Sequence, residues 1–409
     1  MGILGVALSL FLIIYLVRKN INVGWAMVLG AIVVSIFSQM GLSGTFEAFK
    51  TATLSNNFIN LALVVFLISL LGYIMKMTKA LDLMISSLFG LLGGGKLLLM
   101  AIPSLIGLLT VPGGAILSAP MVGESGEKMG LLNYQKAAIN IFFRHIWYPI
   151  YPLYPALLLA TSLTGTSETT IMLMSFPVVF AAVITAMNTM FVGSQVVKKE
   201  KNINKSEALL KLVQSMLPLI ATLVLALVVK VPFPLSVFVG IVLALFNLID
   251  EGSNILDVLI HRIKTMILPG VNFKMVISVY GIIVFGEVLN VSGVLSDFMN
   301  SMVSLGLPIG LLGVISALLT GLITGSNTAS LGISVPVFLP LIEHNPLPYI
   351  LLIFMASLLG YILSPMHLCL ILTKDHFKCQ YKEMYKYFMP PVLAMAIVTT
   401  VIALILMYI

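Results

Sequence analysis

Long apolar stretches separated by short polar turns run the whole length of this 409-residue chain. A helix needs roughly 20 apolar residues to cross a bilayer. Runs of that kind lie at about 3–18, 23–40, 58–78, 135–164, 170–192, 212–230, 234–249, 273–290, 348–372 and 387–409. Two further segments, 97–122 and 307–341, are equally apolar at their ends but carry polar, turn-forming tips, Thr110 to Gly114 and Thr324 to Thr328. The pattern predicts an all-α polytopic membrane protein. The polar stretch from Val197 to Lys211 reads as its linker.

The second half repeats the first about 214 residues on. Gly107-Leu108-Leu109-Thr110-Val111-Pro112-Gly113-Gly114-Ala115 aligns with Gly321-Leu322-Ile323-Thr324-Gly325-Ser326-Asn327-Thr328-Ala329. Gly72 matches Gly286 and Ser87 matches Ser301 at the same offset; Ser175-Phe176-Pro177 lies opposite Phe388-Met389-Pro390, and Gly30 opposite Gly240, at offsets of 213 and 210. The matches keep their order, which chance similarity between apolar helices would not do. The expected organisation is a first repeat over 1–195, a cytoplasmic linker over 196–211 and a second repeat over 212–409.

With 60% hydrophobic and 9% charged residues, the chain is excluded from the soluble class, where about a quarter would be charged. The run from Ile3 to Val17 has no cationic region before it and no small-residue cleavage site after it, so it reads as a retained span rather than a signal peptide. Cys369 lies in an apolar run and Cys379 in a basic loop, which argues against a disulfide. The net charge of +7 would suggest nucleic acid in a soluble protein; here topology accounts for it, and no nucleic-acid partner is expected.

Lysine and arginine concentrate in cytoplasmic loops. If both tip segments enter and leave on one side, 19 of the 22 basic residues share a face, leaving Lys50 and Lys230 opposite and Arg144 inside a span. If both cross, the split becomes 10 against 11. The asymmetry selects two re-entrant hairpins. Each repeat then has five transmembrane helices and one hairpin, and the odd number of crossings inverts the second repeat relative to the first. Both termini fall outside and the central loop in the cytoplasm, with the tips meeting near the midplane.

Non-helical backbone at membrane depth survives only inside protein or beside a watery cavity. Besides the tips, two spans carry such breaks. Arg144-His145-Ile146-Trp147-Tyr148-Pro149-Ile150-Tyr151-Pro152-Leu153-Tyr154-Pro155 holds three prolines at intervals of three, which no continuous helix accepts. Gly360-Tyr361-Ile362-Leu363-Ser364-Pro365-Met366-His367 occupies the equivalent place in the second repeat. Half-helix N-termini would face an anion and free carbonyls a cation.

Ser326-Asn327-Thr328 offers neutral oxygens for a hard cation or donors for a carboxylate; a polar turn satisfying its own backbone is the structural alternative. Pro112-Gly113-Gly114 offers backbone only. Arg144 would hold an anionic group bidentately, or else snorkel to an interface or pair with Glu287. His145 and His367 suit proton transfer or a hydrogen-bonded structural role. Trp147, Tyr148, Tyr151 and Tyr154 are candidate cavity-lining aromatics. Gly90 to Leu97 mimics a phosphate loop, but Leu97 stands where that motif needs Ser or Thr, and no strand precedes it.

The duplicated hairpin-plus-break plan, the Ser326-Asn327-Thr328 tip and the Ser364-Pro365 break resemble the ion transporter superfamily. More narrowly, Pro112-Gly113-Gly114 and the Arg144-to-Pro155 stretch make the chain look like a prokaryotic integral-membrane family related to divalent-anion/sodium symporters and citrate/gluconate permeases. The resemblance implies a prokaryotic inner membrane, a homodimer and elevator-type movement of the hairpin domain. It also implies sodium and substrate binding at Ser326, Asn327 and Thr328. The first tip departs from the symporter pattern, so a symmetric pair of sodium sites is not expected.

The resulting expectation is a secondary active transporter, not an enzyme, that carries a small organic anion, a carboxylate above all, coupled to Na+ or H+. Thr110, Pro112, Gly113, Gly114, Arg144, His145, Ser326, Asn327, Thr328, Ser364 and His367 form the expected substrate set. Ser326, Asn327, Thr328, Gly360, Ser364 and Pro365 form the expected cation set, with no cofactor and no metal beyond Na+. A passive anion channel and an intramembrane enzyme using a histidine are the competing readings.

Overall fold

The computed structural model describes residues 2–19, 21–92, 94–108, 115–195, 205–249, 254–294, 308–342 and 344–408. Every regular element among them is helical. The first half contains α1 (Gly2–Arg18), α2 (Val23–Phe37), α3 (Gly41–Leu54), α4 (Asn56–Met77), α5 (Ala80–Leu92), α6 (Lys96–Leu108), α7 (Ala115–Lys128), α8 (Asn133–His145), α9 (Pro155–Thr164) and α10 (Glu168–Thr189). The second contains α11 (Lys205–Leu223), α12 (Phe233–Phe246), α13 (Ile255–Gly270), α14 (Phe273–Val291), α15 (Ile309–Thr324), α16 (Asn327–Phe338), α17 (Leu347–Leu363), α18 (Leu368–Phe377) and α19 (Tyr381–Tyr408).

Among the described residues, six segments are long and apolar enough to cross a membrane: Asn56–Met77, Glu168–Thr189, Lys205–Val228, Phe273–Val291, Leu347–Phe377 and Tyr381–Tyr408. The molecule is an all-α polytopic membrane protein. The expected spans at 3–18, 23–40 and 234–249 form α1, α2 and α12, of 17, 15 and 14 residues. At 1.5 Å per residue these reach only about 21–26 Å, less than the roughly 30 Å hydrocarbon core. The apolar pattern does not anticipate α3 or α13, whose polar residues recur too often for a continuous apolar run, or α5, which is apolar but only 13 residues long. Lys205 to Lys211, part of the stretch expected as linker, is helical. Helix α11 begins at Lys205, and Glu207 pairs with Lys211 one turn on at 2.6 Å, a spacing that supports a helix.

Ser55 and Ser167 cap α4 and α10, each hydroxyl accepting a backbone N–H at 3.1 Å. Such caps satisfy donors that a helix start leaves open. The helices then sort into two groups that cut across the halves: α1–α5 pack mainly with α11–α14, and α6–α10 with α15–α19. Within them the contacts come in matched pairs. Helix α2 packs on α14 as α12 packs on α4; α6 packs on α8 as α15 on α17; α7 packs on α18 as α16 on α9. Matched glycines perform matched tasks. A methyl on Gly30 would lie 2.6 Å from Ile13 of α1, and one on Gly240 would overlap the Thr222 hydroxyl of α11. Small residues of this kind let membrane helices approach closely.

Burial separates interior helices from peripheral ones. The Leu347–Phe377 window is 72% buried, against 22% for Lys205–Val228 and 28% for Tyr381–Tyr408. Arg262 secures the edge of the first group. Its Nη1 donates to the Leu245 and Asn247 carbonyls at 2.6 and 2.7 Å, and its Nη2 to Leu248 at 3.0 Å. These carbonyls end α12, where a cation meets the negative end of the helix dipole. Charge-assisted hydrogen bonds contribute about 1.5–3 kcal/mol each, so Arg262→Met is expected to lower the melting temperature in detergent. An unchanged melt would show that the α12–α13 corner does not depend on this side chain.

Candidate functional site

Both expected breaks are present, and they meet. Helix α8 stops at His145; a single 3-10 turn, Tyr148–Ile150, contains Pro149, and Pro155 opens α9 as its first residue. Proline is tolerated at that position because its missing N–H would lack a helical partner anyway. Helix α17 stops at Leu363, Ser364 to Met366 run out of helix, and His367 is the N-cap of α18. The imidazoles of His145 and His367 lie edge to face, with centroids 4.7 Å apart. Tyr361 packs on His367 at 4.0 Å, and its hydroxyl is 3.3 Å from His145 Nε2. His145 Nδ1 sits 2.7 Å from the Ile141 carbonyl, which fixes the proton there and leaves the Nε2 lone pair facing the cluster.

The second hairpin tip docks against this junction. Gly325 adopts a left-handed conformation, φ 62°, that ends α15. A methyl there would lie 2.8 Å from the Met366 carbonyl carbon and 2.9 Å from the His367 nitrogen. Ser364 bridges the same gap, donating to the Leu322 carbonyl at 2.6 Å and accepting the Met366 N–H at 3.1 Å. Asn327 joins the two halves. Its Nδ2 donates to the Tyr154 hydroxyl at 3.2 Å, while Ser357 Oγ donates to both its backbone and side-chain oxygens. Tyr154 in turn stacks on Tyr148 at 3.9 Å, and Tyr148 meets His145 edge to face.

Arg144 lies in the last turn of α8 and is 1% exposed. It lies close enough to act electrostatically on His145, His367, Tyr148 and Tyr361. Its carbonyl abuts Gly107, where a methyl would overlap it; the matched Gly321 sits under the Ser357 carbonyl, 2.8 Å from where a methyl would be. Glu287 lies elsewhere, lining a cavity of about 180 Å³ with Asn57, Ser162 and Asn290.

The family described as "Protein of unknown function (DUF401)" matches residues 3–409. The chain belongs to this family. No functionally curated protein matches it. Among solved structures, the Alcanivorax borkumensis YdaH transporter, reported to have an unusual topology, is similar in fold at a TM-score of 0.59 and 15% identity. The similarity covers 90% of each chain.

In this DUF401 chain the expected residues divide. Arg144, His145, Ser326, Asn327, Ser364 and His367 gather at the junction of the breaks and the second tip. Thr110, Pro112, Gly113 and Gly114 lie outside the described residues. Several groups expected to bind a ligand are engaged locally. Ser326 Oγ caps α16 by accepting the Ala329 N–H at 3.2 Å. The Tyr361, Leu363 and Ser364 carbonyls accept from the Ser364 N–H, the Tyr385 hydroxyl and the His367 N–H. Gly360 packs against the Leu318 carbonyl, and Pro365 is exposed. Thr328 is partly exposed beside the cap.

Sequence reasoning missed Asn140, Ser357 and Cys369. Asn140 Nδ2 donates to the Ala115 carbonyl at 3.0 Å and to Thr373 Oγ1 at 3.1 Å, tying α7, α8 and α18 together. Asn140 and Ser357 were visible as polar residues inside apolar spans, which in a membrane chain must find partners.

Proposed function

We propose that this protein is a secondary active transporter of a small organic anion, a carboxylate above all, driven by Na+ or H+. The observation that carries the reading is the junction of two broken helices and a polar hairpin tip, with the buried Arg144 beside its histidines. A charge at the bilayer centre costs about 2.5–3.5 kcal/mol on insertion scales, and substrate sites of transporters are built from such discontinuous helices. Arg144 supplies the anion-binding charge, Asn327 and Thr328 supply neutral donors and oxygens, and the coupling cation sits by the tip. The fold likeness to a transporter supports the same class.

The two helix groups suit an elevator mechanism: α1–α5 with α11–α14 form the scaffold of a homodimer, and the hairpins and broken helices form the moving body. In this reading the repeats, 1–195 and 212–409, are inverted. The protein sits in a prokaryotic inner membrane with termini outside and the 196–211 region in the cytoplasm. The test is uptake of a carboxylate panel into proteoliposomes with imposed Na+ and pH gradients. At least one anion is expected to accumulate and to be released when its gradient is collapsed. Uptake that ignores both gradients for every anion would remove the proposal.

A further inference from the structure

The junction also holds two imidazoles and a thiol, which together offer a chemistry beyond that of Arg144 and the tip. His145, His367 and Cys369 each offer one ligand atom, these atoms lie within 4.8 Å of one another, and all three residues are buried. We propose that these three residues bind a borderline-soft divalent transition-metal ion, with Zn2+ as the best match.

Three independent features point to the ion. First, the ligand set is right: two imidazoles and one thiolate suit Zn2+ and its neighbours rather than Na+, Mg2+ or Ca2+. Second, His145 is already oriented as metal-binding histidines are, with Nδ1 hydrogen-bonded to a backbone carbonyl and Nε2 facing inward. Third, His367 is 2% exposed and neither of its ring nitrogens completes a hydrogen bond, although one faces the Ile362 carbonyl. A buried polar group left unsatisfied costs about 1–3 kcal/mol. A metal bond removes that cost.

The geometry needs only modest contraction. Bond lengths of about 2.0–2.1 Å to nitrogen and 2.3 Å to sulfur place tetrahedral ligand atoms roughly 3.3–3.6 Å apart. Side-chain rotation closes the remaining ångström or so. Cys369 sits in the first turn of α18, where the helix dipole favours a negative ligand. Arg144 opposes a bare dication, and the thiolate formed on binding offsets one charge. On binding, Cys369 releases its thiol proton to solvent and the sulfur lone pair bonds the metal, so affinity falls as pH is lowered. Three protein ligands leave one position for water or an anion.

The experiment uses full-length protein in detergent, stripped with chelator and shown to be monodisperse. Co2+ is the probe, because tetrahedral coordination and a cobalt–thiolate bond each give a distinct absorption band. One equivalent per chain is expected to bind with both bands, and Zn2+ should displace it. Cys369→Ser should lose the thiolate band, His367→Gln should weaken binding at least about 10-fold, and Cys379→Ser should change neither. Folded wild type that binds no stoichiometric Co2+ overturns the proposal, as does a thiolate band that persists in Cys369→Ser or vanishes in Cys379→Ser. Binding is measured without any transported anion, so failure here leaves the transport reading untouched.

Discussion

Arg144→Ala is expected to reduce affinity for the transported anion by at least about 30-fold while leaving the protein folded. Removing one partner of a buried, hydrogen-bonded charge pair costs about 2–5 kcal/mol, and each 1.4 kcal/mol is a factor of ten. Arg144 is 1% exposed at the end of α8, so an anion held there has little competing water. Arg144→Lys keeps the charge but not the planar fork that grips a carboxylate with two parallel bonds, and should recover only part of the affinity. The measurement is concentration-dependent uptake of the anion identified in the proteoliposome screen, alongside size-exclusion and melting profiles. A structural role alone would lower the melt of both variants without separating them in apparent affinity. Wild-type uptake by a folded Arg144→Ala protein would end the assignment of this residue.

Features whose physics is local were readable in the residue order. Pro149, Pro152 and Pro155 each remove a helical donor, and α8 does end ahead of them, with Pro155 opening α9. The breaks, the second tip and the apolar spans were legible for that reason. Helices α3 and α13 were not, because they mix polar and apolar residues too closely for a span pattern, and α5 was not, because its apolar run is too short for a span. The roles of individual polar side chains depended on partners distant in sequence. Ser326 looked like a ligand and serves as the α16 cap. From the sequence, Cys369 reads only as lacking a disulfide partner, yet packing brings it to His145 and His367. Nothing in either segment alone reports that meeting. The matched glycines lie between these cases: the offset that pairs Gly107 with Gly321 is visible in the chain, but only the packing shows that each lets a helix backbone approach.

Gly325→Ala is expected to damage stability and transport far more than Gly165→Ala, although the two glycines share one backbone conformation. Their φ angles are 62° and 69°, and each follows a helix C-terminus. A Cβ in this left-handed region costs roughly 1–2 kcal/mol in both. Only the surroundings differ. Nothing lies within 4 Å of a methyl at Gly165, whereas at Gly325 it would meet the Met366 carbonyl carbon and oxygen at 2.8 and 2.9 Å and the His367 nitrogen at 2.9 Å. Those are backbone atoms and cannot swing aside, so the tip must withdraw from the break. Overpacking of this kind adds about 1–3 kcal/mol. Withdrawal would also strain the hydrogen bond from Ser364 to Leu322 and shift Asn327 from Tyr154 and Ser357, moving the tip side chains out of register with Arg144. Parallel melts and uptake assays of the two variants isolate the close approach from the shared strain. Equal losses in both would mean that the contact between the hairpin tip and the α17–α18 break contributes nothing to the working site.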